Sequence, residues 1–185
     1  MEYAVELPEE IQDQVETLTE QGEEAMDQGR YEEALDIFNQ ALSVLPEPRE
    51  VWEAYVWLKA AMGDACFLSD RFEDGLDHFY EAYTNAGPEN INPFIVYRLG
   101  QTYRQLQDED NAIEFFIKAY MLEGESVFED QDDLVYLRNR VALDGLEDDD
   151  DDYDDDDDFG GRNFDDEGFS RGYIPRDDYE DYGDD

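Results

Sequence analysis

The sequence predicts an all-α fold: a solenoid of about seven helices, made of three stacked helix pairs and a capping helix, followed by a disordered acidic tail. Three observations carry this prediction. The first is an internal repeat. Glycines stand at 22, 63 and 100, and twelve residues after each comes Ala34, Gly75 or Ala112. Four residues further on come Phe38, Phe79 and Phe116, and three further still come Ala41, Ala82 and Ala119. Four columns keep their internal spacing in three copies offset by 41 and 37 residues, a signature of stacked supersecondary units. The second is that apolar residues between these columns recur every three to four positions, the period of an amphipathic helix. The third is a change of composition near Gly145, past which too little apolar surface remains to build a core.

In the first copy Ile11, Val15, Leu18, Gly22 and Ala25 lie on one helical face, and 28–30 (Gln-Gly-Arg) makes the turn. Ala34, Leu35, Phe38, Ala41 and Leu42 form the stripe of the second helix, which Pro46 and Pro48 stop. The columns have a packing logic. Small residues at the crossings let helix backbones approach, and phenylalanine fills the adjacent groove. In the third copy Pro93 suits the first position of a helix, and Gln107 and Asp108 mark the turn. Residues 130–143 supply a cap: Asp130, Asp132 and Asp133 favour a helix N-terminus, and Leu134, Leu137 and Val141 make a short stripe with Tyr136 beside it. The helical domain therefore spans 1–146, with repeats at about 15–48, 56–89 and 93–126, and the tail spans 147–185.

These columns resemble the tetratricopeptide repeat (TPR). The third copy has Leu99-Gly100-x-x-Tyr103, then Ala112-x-x-x-Phe116, then Ala119, with Val96 where the family usually has tryptophan. The first keeps Leu18, Gly22, Ala34, Phe38, Ala41 and Pro46. The second keeps Gly63, Phe79 and Ala82 but departs at Lys59, Cys66 and Gly75. The family period is about 34 residues, so the copies are longer by about seven and three. Seven residues is close to two helical turns, which predicts an extended helix over 50–69. The other three fall in the connection 87–93.

Charge narrows the function. The chain has 185 residues, 54 acidic and 12 basic, and a formal net charge of −42. Residues 147–185 hold 20 acids and three arginines, and 1–146 hold 34 acids and nine bases. Duplex nucleic acid and anionic membrane surfaces repel such a chain, so direct nucleic-acid binding and membrane association are excluded, and charge points to a basic protein partner. No basic, apolar leader opens the sequence. With a single cysteine, Cys66, a cytoplasmic location is expected. A monomer is the default expectation, since nothing in the sequence demands self-association.

Catalysis finds little support. Cys66 sits on a packing stripe and His78, the single histidine, falls in a different helix, so no nucleophile–base pair is in view. No glycine-rich phosphate loop is present. Asp154, Asp156 and Asp158 alternate as in a calcium loop, but Phe159 stands where glycine is needed and the closing glutamate is missing. No enzyme, cofactor or metal is expected.

The TPR resemblance implies a groove lined by the first helix of each pair. Its register places Glu16, Glu23 and Asp27 there from the first copy, with Thr19 and Met26. The second copy contributes Trp57, Asp64 and Phe67, with Ala60. The third contributes Phe94, Tyr97, Gln101 and Arg104. Trp57 and Phe67 either line this groove or pack inside a lengthened helix. Glu23 and Asp64 stand where TPR grooves that grip the carboxylate tails of chaperones carry lysine, arginine or asparagine. The resemblance therefore implies a ligand with Lys or Arg rather than an acidic peptide, with cation–π contacts at Trp57 or Tyr97. In the tail, Tyr153, Asp154, Asp156, Phe159, Phe164, Phe169 and Tyr173 interleave acids with aromatics. That pattern suits a segment that folds onto a basic surface, one that imitates a phosphate backbone, or a solvated repulsive tail.

Three functions follow as expectations. One is an interaction module that neutralises or chaperones a basic protein, as an immunity protein against a toxin such as a nuclease does. Another is a nucleic-acid mimic acting through the tail on a nucleic-acid-binding protein. The last is a general TPR adaptor reading an apolar peptide. Acidity of this degree also suits a halophilic host.

Overall fold

The computed structural model describes residues 7–141. The tail, with Tyr153, Asp154, Asp156, Phe159, Phe164, Phe169 and Tyr173, lies outside the described residues. Within them the elements are α1 (Glu9–Asp27), α2 (Tyr31–Val44), α3 (Glu53–Leu68), α4 (Phe72–Ala86), α5 (Pro93–Gln105), α6 (Glu109–Glu123) and α7 (Gln131–Arg138). Short 3-10 turns occur at Arg49–Val51, Pro88–Asn90 and Gly124–Val127, and no strand is present among the described residues. Local chemistry sets several helix starts. Pro93 opens α5 after Asn92, whose side chain accepts the Phe94 N–H at 2.9 Å. Asp108 and Asp130 cap α6 and α7 in the same way, accepting from Asn111 and Asp132 backbone N–H groups.

Helices pack in hairpin pairs, α1 on α2, α3 on α4 and α5 on α6. Each second helix then packs on the next pair, α2 on α3 and α4 on α5. The first helices, α1, α3 and α5, also touch in succession and form one face. The repeat columns explain the pairing. A Cβ built on Gly22 would stand 2.3 Å from Phe38, one on Gly63 2.7 Å from Phe79, and one on Gly100 2.6 Å from Phe116. Each glycine is thus a socket for its own repeat's phenylalanine, and all three phenylalanine side chains are fully buried. Gly75 plays the other small-residue part: a Cβ there would meet the Gly63 carbonyl at 3.3 Å and Cys66 Cβ at 3.5 Å. Cys66 is accordingly a core residue.

The inner turn of each pair is the same device three times. Gly29, Asp70 and Gln107 occupy equivalent positions, and all have positive φ, 70°, 59° and 63°. The next residue closes a six-residue bond back to the helix: Arg30 N–H to Ala25, Arg71 N–H to Cys66 and Asp108 N–H to Tyr103. This is the Schellman pattern of helix termination. Only the first copy uses glycine, so the sequence signals its turn more plainly than the other two.

One expectation needs correction. No extended helix covers 50–69. Helix α3 begins at Glu53, and the extra residues of the first connection form a loop with the 3-10 turn Arg49–Val51. Trp52 is extended (φ −93°, ψ 133°), and its indole N–H donates to the Pro46 carbonyl at 2.7 Å. That bond folds the connection back on itself and stops the helix from growing toward its N-terminus. The extra residues of the second connection form the turn Pro88–Asn90, where the sequence places them.

The second pair departs from the repeat pattern because it buries charge. Lys59 is 13% exposed; its ammonium lies 2.5 Å from Glu81 of α4 and over the Tyr55 ring. Tyr55 donates its hydroxyl proton to Glu81 at 2.8 Å. Burial works against the Glu81 charge, but these two donors outweigh it and hold the carboxyl below its ordinary range. His78 sits beside this cluster with Nδ1 buried and unpartnered. Burial first, and then Lys59, push its pKa below the ordinary 6.5, against the weaker pull of Glu81, Asp77 and Asp74. The folded protein therefore refuses a proton that the unfolded chain accepts near pH 6.5. Stability from this group is present above that pH and lost as pH falls below it. Urea melts at pH 7.5 and 5.5 should show the wild type losing more stability on acidification than His78→Gln. Equal losses would remove His78 from the account.

Candidate functional site

Helix α1 supplies the acidic end of the face formed by α1, α3 and α5. Glu16, Glu23 and Asp27 are exposed on this helix, and Glu23 borders the cavity it shares with α3. No basic residue lies in α1 at all. A cavity of about 400 Å³ opens between the three helices, walled by Val15, Thr19 and Glu23 of α1, Trp57, Ala60 and Asp64 of α3, and Phe94 of α5. The sequence-predicted residues Glu23, Trp57, Asp64 and Phe94 are thus brought together. Trp57 is 54% exposed, so it lines the face rather than packing inside its helix.

Toward α5 and α7 the same face is already occupied by the chain itself. Arg98 lies between the Phe67 and Phe94 rings, 5.2 Å from each centroid. Its Nε is 2.8 Å from Asp64 Oδ1, close enough for an ion pair, although the two atoms are not aligned for a hydrogen bond. Burial raises the Asp64 pKa, Arg98 opposes that rise, and Glu129 adds to it. Arg98 also donates to Gln101 at 2.8 Å, and Gln101 donates to Asp133 of α7 at 2.7 Å. Asp133, only 3% exposed, accepts the Tyr97 hydroxyl at 2.8 Å and is paired with Arg104. A polar chain thus runs from α3 through α5 to α7. Tyr97 is corrected from a groove residue to a core one: it is 1% exposed, under the Phe128 ring, and burial raises its phenol pKa. Gln101 and Arg104 are half-buried and engaged by α7. Phe67 and Phe94 already hold Arg98.

Sequence reasoning missed Arg98 and Asp133. Asp133 was visible only as an acid in the first turn of a cap helix, where the dipole alone accounts for it. Its inward position follows from α7 lying against α5, which no local pattern encodes.

Every cation of the described residues is spent in the same way. Arg30 pairs with Glu33, Arg49 with Glu47, Lys59 with Glu81, and Arg71 with Glu32 and Asp74. Arg98 pairs with Asp64, Arg104 with Asp133 and Lys118 with Glu114. Arg138 and Arg140 pair with Glu125 and Glu109. Carboxylates outnumber these partners several-fold, so the charge left over is negative.

Cys66 is fully buried, and burial pushes its thiol up to about 11, so it stays protonated at neutral pH. Among the described residues no cluster of three His, Cys, Asp or Glu side chains is placed to hold a metal, and no helix is long and apolar enough to cross a membrane.

No curated protein matches the sequence. Among solved structures, the N-terminal domain of stress-induced protein-1 (STI-1) from C. elegans superposes with a TM-score of 0.53 at 14% identity, covering 70% of this chain and 95% of that one. MamA superposes with a TM-score of 0.50 at 19% identity, covering 67% of this chain and 74% of that one. At these identities the likeness is one of fold. A tetratricopeptide repeat family model matches residues 15–47 and 95–125; the copy between them, with Lys59 in its core, is not matched. The two segments are similar to tetratricopeptide repeats, and the chain folds as a TPR-like helical solenoid.

Proposed function

We propose that this chain is a non-catalytic interaction module that binds a basic protein and neutralises or chaperones it. The TPR-like fold supports a role in protein–protein interaction. One observation carries the finer reading: all nine cations among the described residues are paired within the chain, so what the surface offers a partner is carboxylate. A net of −25 over 1–146 opposes the folded state through self-repulsion, and a cationic partner relieves it. The open part of the face lies over α1 and α3, where Glu23 and Trp57 line one cavity and Glu16 and Asp27 are exposed on α1. A nuclease or another nucleic-acid-binding protein presents the required positive surface. A lone buried thiol accords with a cytoplasmic setting.

The test is salt. Labelled hexa-lysine, read by fluorescence anisotropy with the full chain, should lose affinity by about 10-fold or more between 50 and 500 mM NaCl, because screening shortens the reach of surface charge. A Kd that does not change over that range would contradict charge-driven recognition.

A further inference from the structure

The two lengthened connections meet. Val51 and Trp52 of the first and Asn90 of the second line one cavity of about 360 Å³ with Glu50, Glu53 and Trp57. The 3-10 turns at Arg49–Val51 and Pro88–Asn90 both belong to residues beyond the regular repeat period, so this cavity is specific to the chain's own insertions. No cation lines it. Glu50 and Glu53 are exposed, and neither is in an ion pair among the described residues. The Trp57 indole is 54% exposed and Val51 61%. Trp52, in contrast, is held from below by its bond to Pro46. Elsewhere a half-buried aromatic pair has its cation supplied internally: Arg98 between Phe67 and Phe94, facing Asp64. At Trp57 the aromatic surface and the carboxylates are present and the chain supplies no cation.

We infer that the cavity between the two inserted connections takes an arginine side chain of the bound partner, stacked on Trp57 and bonded to Glu50 and Glu53. Arginine is preferred over lysine for physical reasons. Its guanidinium is planar and weakly hydrated, stacks on an indole face, and presents a fork of N–H donors to carboxylates. Asparagines 85, 90 and 92 around the rim add polar groups beyond the two carboxylates. The inference rests on the proposed binding of a basic partner and deepens it.

Both tryptophans of the sequence line this cavity, and Trp57 also borders the cavity between α1, α3 and α5, so intrinsic fluorescence reports on this end of the face and the variants below separate the two cavities. Hexa-arginine and hexa-lysine carry equal charge and separate this site from general attraction. With the full chain, hexa-arginine should bind about 5-fold more tightly than hexa-lysine and shift tryptophan emission, a preference that Trp57→Ala abolishes. Glu50→Gln with Glu53→Gln should weaken hexa-arginine about 10-fold, as expected for losing charge-assisted bonds. The charge-matched pair Asp36→Asn with Glu73→Gln, on exposed sites of α2 and α4 away from the cavity, should weaken it about 2-fold or less. Circular dichroism confirms that each variant folds. Equal affinity for the two peptides, with both double variants weakened alike, would overturn the arginine site and leave the broader reading intact. Failure of the wild type to bind either peptide would overturn both.

Discussion

Asp133→Ala is expected to destabilise the protein by about 3–5 kcal/mol, the range for removing one partner from a buried ion pair. Asp133 is 3% exposed and receives three donors, Tyr97, Gln101 and Arg104, all from α5. Its removal leaves a buried phenol, a carboxamide and a guanidinium without their shared acceptor. The loss should be concentrated at the cap, where Phe128 and Tyr136 pack on Phe116. Asp133→Asn keeps the shape and an acceptor for Tyr97 but not the charge facing Arg104, so a smaller loss is expected. Chemical denaturation of both variants checks the order. A loss under 1 kcal/mol for the alanine variant would mean that α7 is not locked by this network.

Phe116→Ala should cost about as much, roughly 3–5 kcal/mol, for a different reason. The Phe116 ring is fully buried in the Gly100 socket and touches Tyr97, Phe128 and Tyr136. Truncation opens a cavity that these rings, on three separate elements, cannot all move to fill. The complementary change, Gly100→Val, should also destabilise, because even its Cβ meets the ring at 2.6 Å. Denaturation curves for the two single variants and the double variant test the socket. Coupling is expected, since the larger side chain at 100 fills part of the space that the lost ring leaves. Strict additivity would show that glycine and phenylalanine do not share one contact.

Those two residues also show why the fold was legible. The Gly–Phe spacing of sixteen residues recurs because it is one physical contact made three times, and a contact that sets backbone separation leaves a fixed mark in sequence. The turn positions were less plain. Asp70 and Gln107 adopt the left-handed conformation that Gly29 adopts freely, held by the same terminal bonds rather than by residue type. The first connection was misjudged because seven residues match two helical turns. The period kept the face but said nothing of Trp52, whose bond to Pro46 makes a loop instead.

The candidate site divides along the same line. Glu23, Trp57, Asp64 and Phe94 converge as the repeat register requires, because register fixes which side of a helix a residue occupies. Register does not say whether another part of the chain already covers that side. Tyr97, Gln101 and Arg104 are engaged by α7, and Asp64, Phe67 and Phe94 are engaged by Arg98. What remains open, Glu16, Glu23, Asp27 and Trp57, is where the acidic reading is concentrated.

The central claim is that this open face receives a basic partner. The most direct measurement is amide chemical-shift mapping of the full chain during titration with hexa-lysine at low salt. The account predicts shifts clustered on α1 at Glu16, Glu23 and Asp27 and on α3 at Trp57, with α2, α4 and α6 little changed. Shifts confined to residues 147–185, or spread evenly over all helices, would contradict it.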